Sequence, residues 1–225
     1  MDQPATRLAE ITGRIAHAAR LARRAGHEVT LIAISKTHPA ARIVPLIEAG
    51  QRCFGENRVQ EAAEKWPGLR DAHPDIALHL VGQLQSNKAD EAVQLFDCIH
   101  SLDRPSLVAA LARAMDKAGR QVPCFVQVNI GAEEQKGGCA LADLPALLAQ
   151  ARAAAIPLAG LMCVPPLGVE AAPYFALLAK LADDHGPVFD KWAGLSMGMS
   201  DDFETAVMLG ATHVRVGSAL FGVRG

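Results

Sequence analysis

Aromatic residues are scarce in this chain. Phe, Trp and Tyr make up 4% of its 225 residues, too few for the stacking platforms on which single-stranded nucleic acids are held. An excess of charge of either sign is also missing. Lys and Arg number 22 against 24 Asp and Glu, a net charge of −2, so nothing marks a surface for nucleic acid or for an anionic membrane. No hydrophobic run is long enough for a bilayer: the most apolar stretch, residues 141–166, is cut by Asp143, Gln150, Arg152 and several prolines. Five cysteines (Cys53, Cys98, Cys124, Cys139, Cys163) form no CxxC pair and no zinc-ligand spacing, a usage that fits reduced thiols in a cytoplasmic protein. Met1-Asp2-Gln3-Pro4 carries no basic stretch followed by an apolar one, so no secretory signal is expected. Low-complexity segments, linkers and short-period repeats are absent as well, and a single domain over residues 1–225 is expected.

What the chain does have is apolar content, 50% of its residues, laid out in alternation. A long opening helix, Thr6 to Ala25, is followed by eight short apolar strands ending near Lys36, Phe54, Gly82, Leu102, Asn129, Cys163, Met197 and Gly217, with helix-patterned segments between them. The helix after the second strand is expected to end at Trp66-Pro67-Gly68. The one after the seventh is expected to begin at Asp201, with Ser200 as its N-cap. Eight βα units predict an α/β protein, a (β/α)8 TIM barrel with an extra N-terminal helix; a doubly wound open sheet is the alternative.

The polar residues inside this pattern matter most. Leu31-Ile32-Ala33-Ile34-Ser35-Lys36-Thr37-His38-Pro39 is an apolar strand that runs into a lysine and is stopped by proline. An ammonium at a strand mouth either points into solvent or is paired and used. Gln127, Asn129, His79 and Arg215 alternate with apolar neighbours, which predicts that they point into the barrel, although His79 and His100 read equally well as satisfied core histidines. Ser196-Met197-Gly198-Met199-Ser200 and Val216-Gly217-Ser218-Ala219 close the last two units, where barrels often cradle a phosphate. Asp201 and Asp202 are expected to face solvent. A lysine, an arginine and a phosphate cradle match the aldehyde, ring nitrogen and phosphate of pyridoxal 5′-phosphate (PLP).

Four motifs carry a resemblance that covers nearly the whole chain: Ile34-Ser35-Lys36-Thr37-His38-Pro39; Phe54-Gly55-Glu56-Asn57-Arg58-Val59-Gln60-Glu61; His79-Leu80-Val81-Gly82-Gln83-Leu84-Gln85-Ser86-Asn87-Lys88; and Leu195 through Gly222. The chain resembles the pyridoxal phosphate homeostasis protein family, single-domain relatives of the alanine racemase barrel. The resemblance implies that Lys36 forms a Schiff base with PLP and that Asn57 lies beside the cofactor. It also implies that Arg215 faces the pyridine nitrogen and that Ser200, Gly217 and Ser218 hold the phosphate. Two departures stand out: Ser218 replaces the family's usual threonine, and Gly131 lies where serine is common.

Chemistry argues against turnover. An arginine cannot give its proton to the ring nitrogen, which leaves a poor electron sink. The single tyrosine, Tyr174, falls in the helix after strand 6, and Cys163 is the nearest substitute for a second acid/base. The expected function is therefore a non-catalytic PLP carrier in vitamin B6 and amino-acid homeostasis, acting as a cytoplasmic monomer with PLP-dependent apoenzymes as acceptors. A small amino-acid racemase is the alternative, and a sugar-phosphate barrel is a third reading.

Overall fold

The computed structural model describes residues 4–189 and 193–222. Eight parallel strands, β1 (Thr30–Ile34), β2 (Cys53–Glu56), β3 (Ala77–Leu80), β4 (Cys98–Leu102), β5 (Cys124–Val128), β6 (Leu158–Cys163), β7 (Gly194–Ser196) and β8 (His213–Val216), close into a barrel in sequence order. Closure is made where β8 returns to β1, pairing Leu31 with Val214 and Ala33 with Val216. No strand edge is left exposed, which removes the usual hazard of unpaired backbone groups.

The helices are α1 (Pro4–Leu21), α2 (Ala40–Glu48), α3 (Val59–Ala72), α4 (Ala89–Leu95), α5 (Pro105–Ala118), α6 (Leu144–Ala153), α7 (Ala172–Asp184), α8 (Phe203–Met208) and α9 (Ser218–Phe221). The extra helix α1 buries Leu8, Ile11, Ile15, Ala18 and Ala19, an i, i+3, i+7 stripe. It is tied to α8 by Arg14, whose guanidinium lies 2.6 Å from Glu204 and 4.7 Å from the Phe203 ring centre.

The structure departs from the sequence reading at two helix ends. α3 does not stop at Trp66-Pro67-Gly68 but runs on to Ala72, because Leu69 extends the buried stripe of Val59, Ala62 and Trp66, while Pro67 sits on the exposed side where a missing N–H costs little. α8 starts at Phe203 with Asp202, not Ser200, in the cap position, and the Asp202 carboxylate accepts the Met199 N–H at 2.6 Å. Asp202 is therefore half-buried and folded back on its own loop, and Asp201, although exposed, borders the cavity at the barrel mouth instead of facing away from it. The one-turn α9 after β8 was not foreseen.

Residues that alternate along the strands divide as the pleat requires. Val126 and Val128 face the helices, while Phe125 joins Cys98 and Met162 in a small apolar plug apart from the main core. Beside Phe125 lie three imidazoles. The rings of His79 and His100 are 5.1 Å apart, and His213 is 6.1 Å and 5.9 Å from them. Burial pushes all three well below the usual imidazole value, His79 to about 4 and His213 to about 3.

Two consequences for stability follow from this packing. A Cβ on Gly160 (φ +147°) would lie 1.9 Å from the Gly194 carbonyl oxygen. Gly160→Ala is expected to cost at least about 3 kcal/mol in urea denaturation, from strain and overlap together. The histidines set the acid limit. Unfolded, each takes up a proton near pH 6.5; folded, His79 resists one until about pH 4. Stability is thus full above about pH 6.5 and is lost as pH falls toward the folded value, by about 1.4 kcal/mol per pH unit for each histidine. Urea midpoints between pH 7.5 and 4.5 measure this slope.

Candidate functional site

A cavity of about 670 Å³ opens at the C-terminal mouth of the barrel, and Lys36, Asn57, Ser200, Arg215, Gly217 and Ser218 all line it. The six come from the ends of β1, β2, β7 and β8, so closure of the sheet brings together residues as much as 182 positions apart in sequence. Lys36 sits in the turn just past β1. Among the described residues nothing hydrogen-bonds or ion-pairs with it, which leaves its amine free to react. Asn57 leaves the end of β2 and crosses directly over Gly82, where a Cβ would lie 2.2 Å from the Asn57 carbonyl oxygen. That glycine in the third motif is what lets the second motif reach the mouth.

On the opposite wall, Gly217 donates its N–H to Ser200 Oγ at 3.4 Å, and the Ser218 hydroxyl donates to the same oxygen at 3.1 Å. Ser200, freed from the helix-capping role expected of it, points into the cavity with two neighbouring donors. Hydroxyls and a backbone N–H set this close form a cradle for a small oxyanion.

Arg215 lies at the base of the cavity, 5% exposed, and no carboxylate pairs with it among the described residues. Its Nη1 donates to Ser196 Oγ at 2.6 Å and its Nη2 to the Cys163 carbonyl at 2.8 Å. These contacts order the histidines below. A guanidinium can only donate, so Ser196 accepts from it, and the same Oγ hydrogen-bonds His100 Nδ1, 2.8 Å away. On its other side the His100 ring hydrogen-bonds His79, Nε2 to Nδ1, at 2.9 Å. Arg215, Ser196, His100 and His79 thus form one continuous hydrogen-bonded chain. Cys98 Sγ lies within 4.8 Å of the facing imidazole nitrogens. Those nitrogens already bond each other, burial pushes the thiol well above its usual value, and the Arg215 cation is one hydroxyl away, so this cluster serves as a support for Arg215 rather than a metal centre.

Other residues singled out from sequence do not act at the cavity. Gln127 is tied to Gln83 at 2.6 Å and to the Gly137 carbonyl at 3.0 Å, a structural network. Asn129 clasps both backbone groups of Glu133. Gly131 is explained by packing: a Cβ there would lie 2.4 Å from the Pro166 ring, so serine would not fit. Cys163 is fully buried, with its thiol pushed up to about 12, which removes it as an acid/base near neutral pH. Tyr174 packs on α7 outside the barrel. Ser196, read from sequence as part of the phosphate-cradling stretch, lies instead under Arg215, and Glu56, named in the second motif, had no role assigned, since a serine or glutamate at a strand end carries no further signal until its neighbours are known.

Comparison with known proteins agrees with this geometry. Residues 12–225 match the family model described as alanine racemase, N-terminal domain. The chain is 40% identical to the pyridoxal phosphate homeostasis protein of Pseudomonas aeruginosa, covering all of this chain and 97% of that one, and 36% identical to the protein of that name from Escherichia coli, covering all of this chain and 98% of that one. Among solved structures, PipY of Synechococcus elongatus with PLP bound is 42% identical and superposes with a TM-score of 0.81 over 92% of this chain and all of that one. An alanine racemase from Corynebacterium glutamicum, 19% identical, shares the fold with a TM-score of 0.64 over 95% of this chain and 61% of its own. The barrel, its mouth and these full-length likenesses agree, and the chain belongs to the pyridoxal phosphate homeostasis protein family, built on the alanine racemase N-terminal domain.

Proposed function

We propose that this chain is one PLP-binding barrel domain over residues 1–225 that carries the cofactor as a Schiff base on Lys36 and does not turn over substrate. It works as a cytoplasmic monomer that hands PLP to apoenzymes. The carrying observation is that a free amine, a buried guanidinium and an oxyanion cradle converge on one cavity. When bound, PLP supplies an aldehyde, a pyridine nitrogen and a phosphate. The Lys36 amine condenses with the aldehyde and releases water. Asn57 borders the ring. Ser200, Ser218 and the Gly217 N–H hold the phosphate.

Arg215 has donors to spare beyond those on Ser196 and Cys163, and it turns one to the ring nitrogen. Because it does not surrender that proton, the nitrogen stays unprotonated and withdraws electrons weakly. A racemase also needs a second acid/base across the cofactor; the single tyrosine lies on α7 and the Cys163 thiol is held at about 12. These observations favour storage and delivery over turnover.

Visible spectra of the purified protein with PLP, before and after borohydride, test the reading. Wild type should show an imine band that reduction fixes on Lys36, and Lys36→Ala should show none. Arg215→Gln should weaken PLP binding at least about tenfold in equilibrium dialysis, the loss of one charge-assisted hydrogen bond. Chiral analysis of alanine and serine should find no racemisation above free PLP; turnover that depends on Lys36 would sink the carrier reading.

A further inference from the structure

The turn that presents Lys36 is strained, and a buried ion pair holds it. Ser35, Lys36, Thr37 and His38 form a β-turn closed by the His38 N–H on the Ser35 carbonyl at 3.1 Å. Thr37, its third residue, has φ +65°, a left-handed conformation that turns of this kind normally give to glycine and that a β-branched residue resists.

Three groups from β2 and α3 oppose that strain. Lys65 Nζ donates to the carbonyls of Ser35 (2.9 Å) and His38 (3.0 Å), the two ends of the turn. Glu61 Oε1 accepts the Thr37 N–H at 2.5 Å and lies 3.1 Å from Lys65 Nζ. Glu56, fully buried, pairs with Lys65 at 2.7 Å through Oε1. The same oxygen also accepts the Ser35 hydroxyl at 2.7 Å and the Trp66 indole N–H at 3.0 Å. Its other oxygen, Oε2, has no partner among the described residues. A buried charge pair with an unsatisfied oxygen is a poor stabilising device. Every group it orders belongs to the reactive-lysine turn or to the helix beneath it.

Resting on the function proposed above, we infer that Glu56, with Lys65 and Glu61, is a positioning device that holds Thr37 left-handed so that the Lys36 amine faces the cofactor aldehyde. Glu56 points away from the cavity; it acts on imine formation through the turn, not through PLP.

The inference separates reactivity from binding. In Glu56→Gln the Lys65 ammonium loses the nearer and fully buried of its two carboxylates, keeping only Glu61, and the turn relaxes. Imine formation with PLP, followed by stopped-flow absorbance, should slow at least about tenfold, since small misplacements of a reacting group cost that much or more. Affinity for pyridoxine 5′-phosphate, which has no aldehyde, should stay within about twofold, because that ligand does not use the reacting amine. Glu61→Ala, a change at a half-buried position, is the milder second variant and should slow imine formation in the same sense. Thr37→Gly, which removes the strain, should restore part of the lost rate in the Glu56→Gln background. Hydrogen exchange of the Thr37 and His38 amides reads the turn without PLP. It should quicken at least about tenfold in both variants, as local opening is eased. Unchanged exchange and unchanged imine rate in both variants would overturn the inference. So would equal losses of imine rate and of pyridoxine 5′-phosphate affinity, or absence of rescue by Thr37→Gly. A wild-type protein that forms no imine on Lys36 would instead sink the carrier reading, while the exchange comparison would still judge whether Glu56 holds the turn.

Discussion

The interaction on which the interior depends is the burial of the Arg215 cation with no paired carboxylate among the described residues. A guanidinium in a low-dielectric interior must find acceptors on its flanks. Here it finds a serine hydroxyl and a strand carbonyl, each neutral. That choice propagates downward. Ser196, accepting from Arg215, keeps a hydroxyl hydrogen and a lone pair for the His100 ring 2.8 Å away, and the His100 and His79 rings hydrogen-bond each other at 2.9 Å, which needs a neutral nitrogen on one of them. Burial ensures their neutrality, and the nearby cation reinforces it at His100. A carboxylate in place of Ser196 would have neutralised Arg215 and released the histidines. Its absence leaves Arg215 with charge and donors still to offer a ligand above.

The reactive end of the cavity is built on the opposite economy. Among the described residues Lys36 has no side-chain partner, whereas the residues around it are heavily tied. Order is supplied to the backbone of the turn and withheld from the amine, the arrangement that the proposed imine on Lys36 would need. The strained Thr37 and the half-satisfied Glu56 carboxylate are costs to stability at one location. Such local costs gather where a structure is shaped by what it must hold rather than by what makes it most stable.

The shared barrel does not by itself decide between holding a cofactor and using it, since one fold hosts many activities. The difference lies in what surrounds the cofactor. Pyridine chemistry needs a proton source at the ring nitrogen or a pair of bases at the reacting carbon. On the proposed reading the Arg215 guanidinium would face the first, and for the second, among the described residues, Tyr174 lies on α7 and the Cys163 thiol is held at about 12.

The alternation of apolar runs with helix-patterned segments determined the eight-stranded barrel, because a parallel sheet needs a crossover between strands and each crossover leaves its own 3.6-residue signature. Lys36 at a strand end, Arg215 between valines and the two Gly-Ser mouths were likewise legible, since polar groups where burial is expected need a reason. Helix ends were less so. The stripe from Val59 to Leu69 carried α3 past Pro67, and Asp202 displaced Ser200 from the cap of α8. Only the tertiary structure decided which groups meet. Ser196 under Arg215, Glu56 behind the Lys36 turn and Pro166 against Gly131 are neighbours through sheet closure and loop packing. No periodicity along a chain encodes a hydrogen bond between residues whose distance is set by the curvature of the whole barrel.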